Sequence, residues 1–259
     1  MAVTKEILTL AVEIGDTMLR NGAEVYRVED TVLHILKAYE ITDCDVYVLS
    51  NGIFASANEN KDDACSMIRY VPLGRTHLGR ITALNQLSRE ICSHECSLSD
   101  AWIRLEKCKN IPASRNIIRT FFCGLGSSCF CYMFGGTGLD ALVAFFIGLA
   151  LQFFLIITDR HLDSKFITNI LGSGLVTLLS LLVLSTGIPI MHDKVIIGDI
   201  MPLVPGIALT TSIRDFFNAD YLSGTIHIID AILTAFCIAV GVGSVITVFR
   251  LVTGGALLG

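Results

Sequence analysis

Between Ile197 and Phe216 the chain reads IGDIMPLVPGIALTTSIRDF, an apolar run that carries a carboxylate, Asp199, and two prolines, Pro202 and Pro205. An acid in a membrane span costs about 2.5–3.5 kcal/mol on insertion scales, so it normally faces protein or water and marks a pathway. Pro202 lacks an N–H and is expected to release the carbonyl of Gly198. Pro205 is expected to release that of Met201. Gly206 allows close backbone approach. Freed carbonyls are tolerable in hydrocarbon only beside protein or a wet cavity, and broken helices at mid-depth are a common way to bind solutes and ions. Asp199 is therefore a candidate proton relay, and Pro202, Pro205 and Gly206 a candidate solute-binding helix break. The bland alternative is a packing kink with Asp199 near the interface.

A second set lies further on. Asp230, Thr234, Cys237, Gly241 and Ser244 recur at helical spacing, and Asp230 follows His227 by one turn. Asn169, Ser173, Thr177 and Ser180 form a similar row. Such stripes pack helices together at least as often as they line a route. Asp230 joins Asp199 as a candidate relay acid, while Gly172, Gly174, Gly241 and Gly243 read as close-packing positions.

The elements that hold these residues are predicted from hydropathy. Apolar residues make up 53% of the 259, and the charged residues thin out after Arg119. Five apolar runs follow, at about 117–134, 139–158, 166–188, 195–213 and 226–249. Each is close to the length needed to cross a bilayer. The expected fold is an α-helical integral membrane protein with five transmembrane helices over 113–259, preceded by a small cytosolic α+β domain over 1–112. Arg104, Lys107, Lys109, Arg115 and Arg119 crowd the first span, with Arg160, Lys165 and Arg214 on the same side. That bias puts the N-terminal domain in the cytoplasm of a multi-pass protein of the plasma or inner membrane, with the C-terminus outside if the fourth segment crosses fully. The net charge of -5 speaks against a nucleic-acid partner.

In the first 112 residues, Ile7, Leu10, Ala11, Ile14 and Met18 predict one helix, interrupted at Gly22. Val25, Val28, Val32, Ile35, Leu36 and Tyr39 predict a second. CDVYVLSNGIFASAN predicts a hairpin turning at Asn51-Gly52, CSMIRYVP a third strand, and two helices follow. The start, interrupted by Glu13 and Asp16, is no secretory signal. No nucleotide, hydrolase or metalloprotease motif is present, so neither catalysis nor a cofactor is expected. The nine cysteines include no CxxC pair. CSHEC (Cys92, His94, Cys96) lacks a second half at structural-zinc spacing, so no metal is expected. In AEVYRVED, the Glu24, Arg27 and Asp30 row reads first as a solvated helix face.

Two stretches together resemble a known family. LRNGAEVYRVEDTVLHILKAYEI resembles the opening of the cytosolic domain of the threonine/serine exporter family, the ThrE type, and contains Gly22, Glu24, Arg27 and Glu29. MPLVPGIALTTSIRDFFNADYLSG resembles that family's more specific signature at the fourth membrane segment. Its elements stand here as Pro205-Gly206, Arg214-Asp215, Ala219-Asp220 and Ser223-Gly224. Ala219 takes the place of a glycine, a departure that bears on the geometry of the loop. The length resembles that of the split, YjjP-like form, which pairs with a small polytopic membrane subunit of the YjjB-like type. The resemblance implies a subunit of a secondary-active, proton-coupled exporter of small threonine- or serine-like amino acids. It further implies that Arg214, Asp215, Asp220 and Gly224 form a gate or loop. For split pairs it also implies export of dicarboxylates such as succinate. The rival of another class is a membrane-anchored enzyme or sensor acting through residues 1–112.

Overall fold

The computed structural model describes residues 2–58, 64–72, 74, 76–158 and 164–253. Arg160, one of the residues behind the expected orientation, lies outside them. The chain divides into two compact units, Met1–Ala113 with Asp215–Ile226, and Ser114–Arg214 with His227–Gly259.

The first unit sets helices against one face of a three-stranded sheet. Helix α1 (Ala2–Arg20) buries Leu8, Leu10, Ile14 and Met18, and α2 (Val25–Ala38) buries Val28, Val32, Ile35 and Leu36 against it. Their approach is close at Gly15, where an added Cβ would sit 2.8 Å from Val32 Cγ2. Gly22 ends α1: its φ is +83, Gly22 N–H donates to Leu19 O, and Ala23 N–H donates back to Met18 O. That is the left-handed helix stop which glycine makes without steric penalty. Gly22 of the family-like motif is thus a fold residue.

Strands β1 (Cys44–Leu49), β2 (Gly52–Ala57) and β3 (Cys65–Tyr70) pair antiparallel in the order β1-β2-β3. The expected Asn51-Gly52 turn is displaced by one residue. Leu49 pairs with Gly52, so Ser50 and Asn51 make the loop. Neither Ser50 nor Asn51 has a positive φ, so the loop is not the mirror-image turn for which Asn-Gly is suited. Helices α3 (Leu78–Cys92) and α4 (Leu98–Lys109) complete the unit, α4 being capped by the Ser97 hydroxyl, which accepts from Asp100 N–H at 3.2 Å. Glu13 of α1 ties in β3 through Arg69 and α4 through Lys109, at 3.2 Å. Burial works against the Lys109 charge, but Glu106 and Glu13 outweigh it and raise its pKa.

The second unit is helical: α5 (Asn116–Met133), α6 (Gly138–Thr158), α7 (Lys165–Ser185), α8 (His192–Ile200), α9 (Gly206–Phe217) and α10 (Tyr221–Thr253), the last two shared with the first unit at residues 215–226. Among the described residues three helices, α6, α7 and α10, are long and apolar enough to cross a membrane. A fourth is gained if α8, the 3-10 turn Met201–Leu203 and α9 count as one span, bent by 60°. Against five expected spans, α5 falls short on composition, because its 18 residues include Asn116, Arg119 and several glycines and serines. It nevertheless shows an inverted pattern, with Phe121, Phe122 and Leu125 exposed and Gly124, Ser127 and Cys131 buried. Small residues inside and large apolar ones outside is how helices pack within lipid.

Candidate functional site

The candidate site is built on α8 and the turn that ends it. Asp140, fully buried at the start of α6, fixes where α8 begins. It accepts the Thr137 N–H at 2.7 Å, the Thr137 hydroxyl at 2.8 Å and the Met191 N–H at 2.9 Å. Thr137 Oγ1 in turn accepts the Asp140 N–H at 3.3 Å, making a reciprocal cap. The sequence reading passed over this residue, although Thr-x-x-Asp before an apolar run is a visible capping signal. At the neighbouring end of α7, Ser180 donates to His192 O at 3.4 Å.

From there α8 runs along α5. A Cβ at Gly198 would lie 2.7 Å from the backbone nitrogen of Cys131 and 2.8 Å from Ser127 O, so the two helices touch backbone to backbone. Asp199, the next residue, is 0% exposed, and so is Ser127, which sequence reasoning missed for want of any spacing signal in GLGSSCF. The Ser127 hydroxyl faces the carboxylate, but neither Asp199 oxygen nor Ser127 Oγ has a hydrogen-bond partner. Ser127 lies in the interior of α5, and Asp199 is the second-last residue of α8.

The break follows at once. Pro202 is the middle residue of the 3-10 turn, and Val204 is extended. The expectation that Pro205 frees the Met201 carbonyl is not met, since the tight turn brings Val204 N–H onto Met201 O at 3.2 Å. Pro205 sits instead at the entry to α9, its carbonyl accepting from Leu209 N–H at 3.0 Å. Leu203 is buried against Gly172, whereas Pro202 and Gly206 are exposed, with nothing within 4 Å of a Cβ at Gly206.

Asp230 has a different setting. It accepts an ion-paired hydrogen bond from Lys165 at the first turn of α7, the two side chains being 27% and 52% exposed. Higher up, a Cβ at Gly241 would meet Ile170 O at 2.3 Å, and one at Gly174 would meet Val245 at 3.5 Å. The contacts climb both helices together, so α7 and α10 run parallel. The hydroxyl rows serve packing: Ser173 and Thr177 donate to Asn169 O and Ser173 O, both at 2.8 Å. Gly172 and Gly241 are close-packed as expected, but Gly243 has nothing within 4 Å.

The remaining candidates are spread out. Arg214 is exposed and Asp215 is 2% exposed, so the neighbours occupy different surroundings on α9. Asp220 Oδ1 caps α10 by accepting Ser223 N–H at 3.2 Å, and a Cβ at Gly224 would lie 2.9 Å from the Phe216 ring. Between α9 and α10, Ala219 keeps the conformation of a glycine, with φ +61. Asp220 N–H bonds to Asp215 O at 2.9 Å and Ala219 N–H to Phe216 O at 3.1 Å. The loop thus retains the left-handed helix stop at the cost of a Cβ clash. Ala219→Gly is expected to raise stability by about 1 kcal/mol, read as a higher thermal midpoint in detergent; a lower midpoint would contradict the strain.

In the first unit Glu24 pairs with Arg27 at 3.4 Å, while Asp30 pairs with His34 at 3.1 Å rather than extending the row. Glu29 accepts weakly from Val48 N–H at 3.4 Å. Burial pushes the Cys92 and Cys96 thiols up, and Cys108 likewise, which keeps them protonated. Among the described residues no three His, Cys, Asp or Glu side chains converge as metal ligands would.

A family model described as "Putative threonine/serine exporter" matches residues 9–249. The "Probable threonine/serine exporter" of Mycobacterium tuberculosis is 22% identical over 244 residues, covering 92% of this chain and 45% of that protein. The "Threonine/serine exporter" of Corynebacterium glutamicum is 22% identical over 248 residues, covering 92% of this chain and 50% of that one. The chain spans about half the length of these curated relatives, and no solved structure matches it.

Proposed function

The chain belongs to the threonine/serine exporter family, and from that premise we propose that it is a membrane subunit of a secondary exporter of threonine- and serine-like amino acids, coupled to protons. The observation that carries this reading is the coincidence of a buried acid, Asp199, with a helix broken at Met201–Leu203. A carboxylate held inside a bundle beside irregular backbone is what a transporter needs and a scaffold does not. In this reading α8 and α9 form one broken span, since the parallel course of α7 and α10 requires a return. With α5 that makes five crossings.

Asp199 is the acid that carries the proton. Asp230, paired with Lys165 at a helix end, belongs to the entry. The break at Pro202–Gly206, exposed at Pro202, Val204 and Gly206, offers backbone groups to the solute, and Arg214, Asp215, Asp220 and Gly224 shape the loop beyond it. The basic residues before α5, with Lys165 and Arg214, favour a cytoplasmic first unit. Only 17% of the apolar window of α10 is buried. That open helix supports a second membrane module, of the YjjB-like type, completing the route. No observation favours a dicarboxylate, and none supports the enzyme or sensor reading.

The test is export from cells fed a threonine dipeptide, with the partner module co-expressed. Wild-type export should quicken under an imposed pH gradient, and Asp199→Asn should lose that response. Undiminished, gradient-driven export by Asp199→Asn would exclude the proton role.

A further inference from the structure

We propose that Asp199 and Ser127 form an occluded proton-holding pair across the seam between α5 and α8, a site that admits a proton and no larger cargo. Its part in transport rests on the exporter reading; the pair itself rests on burial, on unpartnered oxygens and on the contact of Gly198 with the Ser127 backbone. Both side chains are fully buried, they come from different helices, and their three oxygens all lack hydrogen-bond partners. Buried polar atoms without partners are rare. An ionised carboxylate there, with no counter-charge, would be costly. A proton on one Asp199 oxygen removes the charge and supplies a donor for Ser127 Oγ, so one hydrogen atom partners one oxygen on each helix.

The surroundings offer no other solution. Among the described residues, Cys123 and Cys131 on α5 share the seam with the charges of Asp140 on α6 and Asp193 on α8, and His192 and Lys194 stand beside Asp193 in the first turn of α8. Lys194 is paired with Asp193 at 3.4 Å. The buried α7 hydroxyls of Ser173, Thr177 and Ser180 are each already bonded to a backbone carbonyl.

Size excludes larger cargo. A Cβ at Gly148 would lie 2.6 Å from Ser127 Oγ, and one at Gly124 would lie 2.7 Å from Phe145 O. These two contacts bring α6 onto the stretch of α5 that carries Ser127, and Gly198 of α8 is equally tight against Cys131, so at all three glycines there is no room even for a methyl group. An oxygen-ligated metal cation takes about six or more ligands, and three side-chain oxygens meet here. The proton and the solute therefore use different surfaces, the seam and the exposed break beyond it. Asp199 exchanges its proton with water only when α5 and α8 part.

Infrared difference spectroscopy on the purified chain with isotope-labelled aspartate tests the pair without transport. At neutral pH the wild type should show the C=O stretch of a protonated carboxyl. Asp199→Asn, which is isosteric, should abolish it, and Ser127→Ala should move it to higher frequency by removing the hydrogen-bond partner. A spectrum from which Asp199→Asn removes nothing, or a band unmoved by Ser127→Ala, overturns the proposal. The two readings fail separately: a band without threonine or serine export sinks the exporter reading, and export without the band sinks the pair.

Discussion

Asp140→Ala is expected to destabilise the membrane unit by roughly 3 kcal/mol or more, because each buried donor left unpaired costs about 1–3 kcal/mol. The carboxylate is fully buried and accepts from two backbone N–H groups and one hydroxyl, drawn from the approach to α6 and the start of α8. Alanine strands the N–H of Thr137 and of Met191 together and removes the tie that sets α8 in register. Near-isosteric Asp140→Asn keeps one carbonyl acceptor and should lose less. The thermal midpoint in detergent should fall by something on the order of 10 °C for alanine, given about 2–4 °C per kcal/mol for a chain of this size. An alanine variant melting within a degree of wild type would show that Asp140 does not hold the two helices.

The second large effect is expected where α10 crosses α7. In Gly241→Val the first added carbon would fall 2.1 Å from Ser173 Oγ and 2.3 Å from Ile170 O. The serine can rotate away, but the carbonyl is backbone, so the helices themselves must separate. Overpacking of this kind costs about 1–3 kcal/mol and occasionally more. The upper end is expected because the obstacle cannot move aside. Gly243→Ala is the internal control, for its Cβ would meet nothing within 4 Å. A Gly241→Val protein that melts with Gly243→Ala and keeps a Lys165–Asp230 coupling would refute the crossing.

These two cases mark how far the sequence could be read. Gly241 was visible as a close-packing position, and its neighbour Gly243 was given the same role. A spacing of two places them on different faces of α10, and only the partner helix decides which face is used. Asp199 was found because a carboxylate in an apolar run is anomalous whatever surrounds it. Ser127 was not, because a serine beside glycines in an apolar helix carries no such anomaly until α8 lies against it. Asp230 looked like a second Asp199 by hydropathy alone. The difference between a sealed acid and an ion-paired one depends on Lys165, far away in the chain. Pro205 was assigned a freed carbonyl on the assumption of a continuous helix, and the 3-10 turn satisfied that carbonyl by a shorter bond.

What the sequence determined by itself is local and compositional: which segments are apolar, where prolines and glycines stop helices, and which acid is out of place. Hydropathy and backbone stereochemistry act within a few residues, so they survive reading one position at a time. What only the tertiary structure decided is pairing: Asp199 with Ser127, Asp230 with Lys165, Asp140 with the start of α8, and the parallel course of α7 and α10. Those depend on which helix faces meet, and in a helix whose large apolar residues point outward toward lipid, hydropathy no longer distinguishes the face that packs from the face that does not.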